Sequence, residues 1–454
     1  MAADAGVCVL GGGPAGATVA RRLAELGHAV VLVARDGGPR HPLGETLPVS
    51  ALPLLASLGL AGVVDMATTG EARERLAVWG DREPVSQPGR AILLDRGRFD
   101  RLLRARASDS GVRVMAPGAA PRRDPARGWV VPVAGRAPLC VPVLVDARGR
   151  RSGGGVRLGA PTVALAALWD RGPEETRIEA GEDFWAWGGP APQGRHGAAC
   201  FMDPARLAGL DSADRTALYL SLLARTRLFR RLGAGRLLGP PTVHDATSRL
   251  VPRCTGPAHV VVGDAALATE PLSSQGVQAA LVSALQGAAA VNTLLTRPED
   301  AALALRFHRS CRLDAARRAR RQAAAMHAAA CQRIGTPFWV ARAPGGPANT
   351  EAAEPAPPAM IQPGAALRLA PALRIIDAPV LDGALIRRGR VVRHPGMDGP
   401  LAFLGGVAIA PLLAAADFPA PEHDLLRSWS ERIGSVEAAR VLAWLRRSGL
   451  LIAA

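Results

Sequence analysis

The 454-residue chain has no lysine: all 55 of its basic residues are arginine. Chemistry that needs a lysine amine is therefore excluded, and arginine is a poor substitute because its nitrogens are delocalised and permanently protonated. Tyrosine occurs once and aromatic residues make up only 4%. Without aromatic interleaving or zinc spacing among the arginines, nucleic acid is not expected as a partner. The six cysteines, Cys8, Cys140, Cys200, Cys254, Cys311 and Cys331, form no CxxC pair. They exclude a disulfide or metal framework and read as isolated thiols of a reducing cytosol. The N-terminus lacks a basic segment followed by an apolar one, so a cytoplasmic location is expected. Long apolar runs are scarce as well. The most apolar stretch, Leu401 to Ala416, contains Gly405, Gly406 and Pro411 and reads as buried core rather than a membrane span.

What is present is an ordinary globular balance, 48% hydrophobic and 21% charged, long enough to bury a large core. The 39 acidic residues leave a net charge of +16. Two readings of that excess stand: a codon bias towards arginine, or a surface for acidic partners.

Along the chain, Gly6 to Leu10 reads as a buried strand, Ala15 to Leu26 as a helix stopped by Gly27, and Ala29 to Val33 as a second strand. This is a βαβ opening. Residues 160–240 carry alternating, tryptophan-bearing segments expected to form an antiparallel sheet. Val260 to Val262 returns to a buried strand, and Gly276 to Leu295 is a long apolar helix. An arginine-laden helix is expected over 306–333, a Pro/Ala/Gly-rich linker near 343–359, and a small domain ending in two helices after it.

The first chemical motif is Gly11-Gly-Gly-Pro-Ala-Gly16, which fits GxGxxG between a strand and a helix. Gly11 permits the tight turn, Gly13 lets the backbone approach a pyrophosphate, and Gly16 lets helix and strand pack closely. The acid that normally binds the ribose about 20 residues on is missing: Ala34 stands there, followed by Arg35 and Asp36. Either adenosine binding is weakened, or Asp36 or an arginine compensates.

Later segments narrow the motif. They are Gly44-Glu-Thr-Leu-Pro48, Asp95-Arg-Gly-Arg-Phe-Asp100, Asp146-Ala-Arg-Gly-Arg150, Trp185-Ala-Trp-Gly-Gly-Pro190, Gly263-Asp-Ala-Ala266 and Glu270-Pro-Leu-Ser-Ser-Gln-Gly276. In this order the chain resembles flavoprotein monooxygenases of the p-hydroxybenzoate hydroxylase fold, within the branch of flavin-dependent halogenases and geranylgeranyl reductases. With Pro337-Phe-Trp339, it is most similar to the maturation enzymes that oxygenate protein tryptophan for quinohaemoprotein amine dehydrogenase and lysine oxidase. The resemblance covers residues 1 to about 342.

It implies an α/β protein: a glutathione-reductase-like, Rossmann-type FAD-binding domain (1–70, 91–158 and 241–342) and an inserted antiparallel β-sheet substrate domain (71–90 and 159–240). A linker (343–362) and a small C-terminal domain (363–454) complete it. By resemblance, Gly11, Gly13, Pro14, Ala15 and Gly16 cradle the FAD pyrophosphate. Arg96 makes a polar contact to FAD, and Gly263 and Asp264 meet its ribityl or pyrophosphate region. Pro271, Gly276 and Val277 approach the flavin ring, whose negative charge when reduced suits a helix N-terminus. Glu270 replaces the usual Asp before the proline. Glu45 either flanks the flavin or is a solvated loop carboxylate. Trp185 and Trp187 resemble the WxWxIP element of halogenases with Gly189 in place of Ile; they either pack the sheet or line the substrate pocket. The missing lysine argues against halogenation. His244 and Asp245 form a possible polar pair, but no catalytic base and no metal ligand is assigned.

The implied activity is hydroxylation of an aromatic side chain, tryptophan in a protein or peptide, through a flavin C4a-hydroperoxide. The reductant would be NADH or NADPH, used directly or through a partner flavin reductase, an option that Ala34 favours. Alternatives are a reductase of the geranylgeranyl type, a hydroxylase of small aromatic molecules, and a non-catalytic FAD-binding maturation factor.

Overall fold

The computed structural model describes residues 5–35, 45–79, 83–343 and 365–454. Gly44 and Asp36 lie outside these residues, as does nearly all of the expected linker. The chain forms two compact units, Met1–Asn292 with Ala316–Glu351, and Thr293–Ala315 with Ala352–Ala454.

The first unit opens with β1 (Val7–Leu10), α1 (Pro14–Glu25), β2 (Val30–Val33) and β3 (Glu45–Pro48). Next come α2 (Leu52–Ser57), α3 (Ala61–Ala67), β4 (Thr68–Val78), β5 (Val85–Leu94) and α4 (Arg96–Asp109). Then follow β6 (Arg113–Met115), β7 (Arg122–Asp124), β8 (Gly128–Val131), β9 (Leu139–Val141), β10 (Val143–Asp146) and β11 (Val156–Arg157). The strands β12 (Val163–Trp169), β13 (Thr176–Ala180), β14 (Phe184–Ala191) and β15 (Arg195–Met202) precede α5 (Ser212–Ala224) and β16 (Thr242–Asp245). Short strands β17 (Arg249–Leu250), β18 (Thr255–Gly256), β19 (His259–Val261) and β20 (Leu267–Ala268) lead to the helices α6 (Gly276–Thr296), α7 (Ala301–Ile334) and α8 (Pro337–Val340), of which residues 293–296 and 301–315 belong to the second unit.

Two sheets organise this unit. The first has the order β18-β19-β10-β1-β2-β6. Cys8 on β1 lies between Leu144 on β10 and Val31 on β2, in parallel register. Every residue of β1, β2 and β10 is buried, as the uninterrupted apolar runs require of parallel strands covered on both faces. The second sheet has the order β16-β12-β15-β14-β13-β4-β5-β3. Its pairings are antiparallel except β13 with β4, which run parallel, so the expected antiparallel sheet is mixed at this one seam. The sheet also takes in Glu45–Pro48 through pairing with β5.

Alternation gives the second sheet two distinct faces. Leu165, Ala167, Trp169, Phe184, Ala186 and Cys200 pack on one face with Tyr219, Leu222 and Leu223 of α5. Ala164, Ala166, Trp185, Ala199 and Phe201 pack on the other with Leu272, Ala330, Phe338 and Trp339.

In the second unit, β21 (Ala366–Leu369) is followed by the hairpin β22 (Arg374–Asp382) and β23 (Leu385–Arg393). After β24 (Phe403–Leu404), β25 (Val407–Ala408), α9 (Ile409–Ala414) and β26 (Ala420–Pro421) come α10 (Glu422–Ile433), α11 (Ser435–Arg447) and β27 (Leu451–Ala453). Its core is Leu367, Ile409, Leu412, Leu413, Trp429, Val441, Leu442 and Leu445, so the apolar 401–416 stretch is core. Among the described residues only α6 is long and apolar enough to cross a membrane, and 61% of its most apolar window is buried in the fold.

Candidate active site

The glycine turn is built by close approach. Gly11 has φ +102°, and a β-carbon there would lie 2.4 Å from the Ala147 carbonyl oxygen. A β-carbon on Gly16 would lie 1.7 Å from the Gly11 carbonyl oxygen. Gly13 is different, because a β-carbon there would meet nothing within 4 Å. Gly13 is also the N-cap of α1 and supplies no side-chain cap, while Pro14 begins the helix. The first-turn N–H groups of Ala15 and Gly16 thus receive no side-chain cap, and the space beside Gly13 is open. That is the donor set a pyrophosphate requires. Pro14 and Ala15 are buried and serve as backbone. The residues fit FAD at this turn.

Neighbouring elements converge on the same turn. Gly263, with φ +62°, would place a β-carbon 2.6 Å from Cβ of Ala15, and its N–H donates to Oγ of Ser283 at 2.9 Å. The Arg104 guanidinium donates to the Gly12 carbonyl at 3.0 Å. A β-carbon on Gly12 would also lie 2.6 Å from Cβ of Ala34. Asp264 forms an ion pair with Arg150 at 3.5 Å. Arg150 also donates to the carbonyls of Thr247 at 2.8 Å and Thr269 at 2.5 Å, tying the segments before and after β19 together.

Arg96 is positioned by the start of α4. Asp95 caps that helix by accepting from the Arg98 N–H at 2.9 Å, which leaves Arg96 in the first turn. Its guanidinium donates to Asp100, one turn on, at 3.2 Å and to Glu45. Burial works against the charged guanidinium, but the carboxylates of Glu45 and Asp100 outweigh it and hold it above its ordinary pKa. Glu45 is thus the partner of Arg96 and still 46% exposed on its side chain.

Pro271 opens a short 3-10 turn, Pro271–Ser273, that ends at Ser274 in the left-handed conformation, φ +52°. Gly276 starts α6 with open space around it. The Val277 side chain packs into the core with Leu94, Phe99 and Leu281, so only its backbone can face a cofactor.

The tryptophan pair packs. Trp185 is 1% exposed, stacks on Phe201 at 3.6 Å and meets Trp79 edge-on at 6.2 Å. Trp187 is half-buried against the same cluster. A β-carbon on Gly189 would lie 3.1 Å from Thr176 Cγ2 and 3.6 Å from the Trp187 ring, which explains glycine where the resembling motif has isoleucine. His244 is exposed on the edge strand β16, where its Nε2 pairs with the Thr242 hydroxyl at 2.8 Å.

Sequence reasoning missed His327. Its Nε2 lies 2.9 Å from the Glu270 carboxylate, and the residue is 3% exposed. The pair lines a solvent-open cleft whose wall includes Thr162, Ala246, Ser248, Arg320 and Arg342. Neither Trp185 nor Trp187 is part of that wall. A signal did exist: Ala316, Ala323, His327 and Ala330 fall at helical spacing on the inward stripe of α7, and histidine is the polar intruder there. Its partner 57 residues earlier could not be read. Among the described residues no cluster of three His, Cys, Asp or Glu could hold a metal.

Residues 4–117 match the FAD binding domain family. A tryptophan 2-halogenase from Chondromyces crocatus is 25% identical over 342 residues, 67% of this chain and 64% of the halogenase, so the match spans under two thirds of that relative. Among solved structures, the peptidyl tryptophan dihydroxylase QhpG, essential for tryptophylquinone cofactor biogenesis, is 29% identical. It covers 99% of this chain and 100% of its own, with a TM-score of 0.78. The flavin-dependent halogenase CmlS shares the fold at 18% identity and a TM-score of 0.79, over 98% of this chain and 95% of its own. The chain thus carries an FAD-binding domain, is a flavin-dependent oxidoreductase, and is similar to FAD-dependent monooxygenases and halogenases.

Proposed function

We propose that the protein is an FAD-dependent monooxygenase that hydroxylates a tryptophan side chain held in a protein or peptide, in cofactor maturation or natural-product biosynthesis. The observation that carries this reading is the likeness to the peptidyl tryptophan dihydroxylase over 99% of this chain and 100% of that one, at 29% identity. The absence of lysine supports the same choice over halogenation, for which arginine is a poor replacement.

Gly11, Gly13, Pro14, Ala15 and Gly16 would hold the pyrophosphate at the α1 N-terminus, with Gly263 and Asp264 beside them. Arg96, fixed by Glu45 and Asp100, would offer a cation to the cofactor, and the backbone from Pro271 to Val277 would meet its ring. Bound FAD supplies the electrophilic oxygen that an electron-rich indole can attack. The protein's share is to bind and orient the aromatic ring and to exclude water. NADH or NADPH is the ultimate reductant. Delivery through a flavin reductase is favoured by Ala34, which removes the usual acidic ribose contact.

The test is oxygen labelling. The FAD-loaded protein, with NADH, a flavin reductase and 18O2, is given tryptophan-containing peptides and candidate client proteins. Incorporation of 18O into tryptophan is the expected result. Halide-dependent substitution of the ring without 18O would replace hydroxylation by halogenation. NADH consumption recovered wholly as hydrogen peroxide, with every client unchanged, would overturn the reading.

A further inference from the structure

Oxygen transfer to an aromatic carbon leaves that carbon bearing both the new oxygen and its original hydrogen. Aromaticity returns only when that C–H bond breaks, its electron pair staying in the ring and its proton leaving to a base. This chain can offer neither a lysine nor a tyrosine as that base. It has no lysine, and its single tyrosine, Tyr219, is buried against the opposite face of the large sheet, where burial pushes its phenol well above the ordinary range. The arginines are permanently protonated.

The cleft beside Pro271 contains four ionisable side chains, Glu270, Arg320, His327 and Arg342. Of these, the arginines have no lone pair to offer and Glu270 is engaged with His327, whose ring carries a second nitrogen that can take a proton. Its Nε2 is taken by the Glu270 carboxylate at 2.9 Å. A carboxylate accepts only, so in the neutral ring this hydrogen bond would put the proton on Nε2 and the lone pair on Nδ1, the orientation that a carboxylate imposes on a catalytic histidine. The ring also meets Trp339 in a tilted contact, with centroids 5.9 Å apart, and Trp339 is itself fixed by donating to the Gly181 carbonyl at 2.8 Å. Glu270 directly precedes Pro271, so the dyad sits at the root of the turn expected to approach the flavin.

We infer that His327 is the catalytic base of this site, taking the ring proton on Nδ1, and that Glu270 is its positioning residue. The inference rests on the hydroxylation reading, in which dioxygen is the oxidant and NAD(P)H the reductant. The groups that set the charge around His327 are Glu270 from the segment after β20, Arg320 two turns away on α7, and Arg342 after α8. Arg150 bonds the Thr269 carbonyl next to Glu270.

The test uses the FAD-loaded full chain and the 18O assay. Wild type should lose hydroxylation on acidification, as imidazole protonation removes the lone pair. His327→Ala should lower product formation by about 10²–10⁴-fold, the range for loss of a general base. It should retain FAD, lose the acid limb of the pH profile, and recover activity with added imidazole. Glu270→Gln should move the acid limb to lower pH, because a neutral partner no longer favours the imidazolium. If His327→Ala does not retain FAD, His327→Gln and Glu270→Gln carry the same pH readout. Wild-type hydroxylation with variants of unchanged rate and unchanged pH profile would overturn this assignment alone. Absence of 18O from every client of the wild type would overturn the hydroxylation reading, and this inference with it.

Discussion

The Gly11 carbonyl oxygen would stand 1.7 Å from a β-carbon at Gly16, so the turn closes only because position 16 has no side chain. Gly13, three residues before it, borders empty space. The two glycines therefore make different demands.

Substituting each by alanine separates those demands. Gly16→Ala should destabilise the apoprotein by at least the ~1–3 kcal/mol typical of overpacking, because backbone must move. Gly13→Ala should leave apoprotein melting nearly unchanged and weaken FAD retention, since its methyl would enter the open space at the α1 N-terminus. Thermal melting without FAD, alongside flavin titration, checks both. Equal destabilisation by the two would refute the distinction.

Arg96 is enclosed by Glu45 and Asp100 at the start of α4. Arg96→Gln would remove the Arg96 charge from beside the enclosed Asp100, and breaking such a pair costs ~3–5 kcal/mol when both charges are buried. Glu45 is partly solvated, so Glu45→Gln should cost much less. Urea unfolding of the two variants would measure the ordering.

His196 is fully buried on β15 with Nδ1 bonded to the Pro173 carbonyl at 3.1 Å. Burial lowers its pKa from 6.5 to about 4. The unfolded chain therefore takes up this proton before the native one does. Stability from this residue is complete above pH 6.5 and falls as pH drops towards 4, by up to ~3 kcal/mol. His196→Asn should flatten the melting temperature over that window. An unchanged slope would show that other groups control it.

The Trp185 indole N–H is buried without a hydrogen-bond acceptor. Its role is packing against Phe201 and Trp79. Trp185→Phe should retain stacking, remove the unmatched donor and leave hydroxylation within a few-fold of wild type. Loss of activity with intact FAD binding and melting would instead give the indole a direct role.

The thiol of Cys8, on the innermost strand, is pushed up to about 12 by burial. Native protein should leave it unlabelled by iodoacetamide at pH 8, while unfolded protein reacts, because the thiolate is the nucleophile.

The sequence by itself determined the elements whose signal is local. The runs Val7–Leu10 and Val30–Val33 could only be buried strands, and GxGxxG between strand and helix requires a close turn. The absence of lysine removed one chemistry outright. Alternating, tryptophan-bearing segments over 160–240 announced a sheet, though not its strand bounds or its two packed faces. Tertiary structure decided what depends on residues far apart in the chain. The parallel seam between β13 and β4 joins segments about a hundred residues apart, and no local pattern distinguishes it from an antiparallel one. Glu45 could not be read because its ion pair is set by the register of β3 on β5, which brings it to Arg96. Trp185 and Trp187 carry the same sequence pattern whether they line a pocket or a core; only the fold shows Trp185 enclosed by Phe201 and Trp79 while Trp187 stays half-buried. His327 and Glu270 meet across 57 residues, because α7 packs its inward stripe over the turn before α6. Periodicity reports which side of a helix is buried, and only the fold names the residue waiting there.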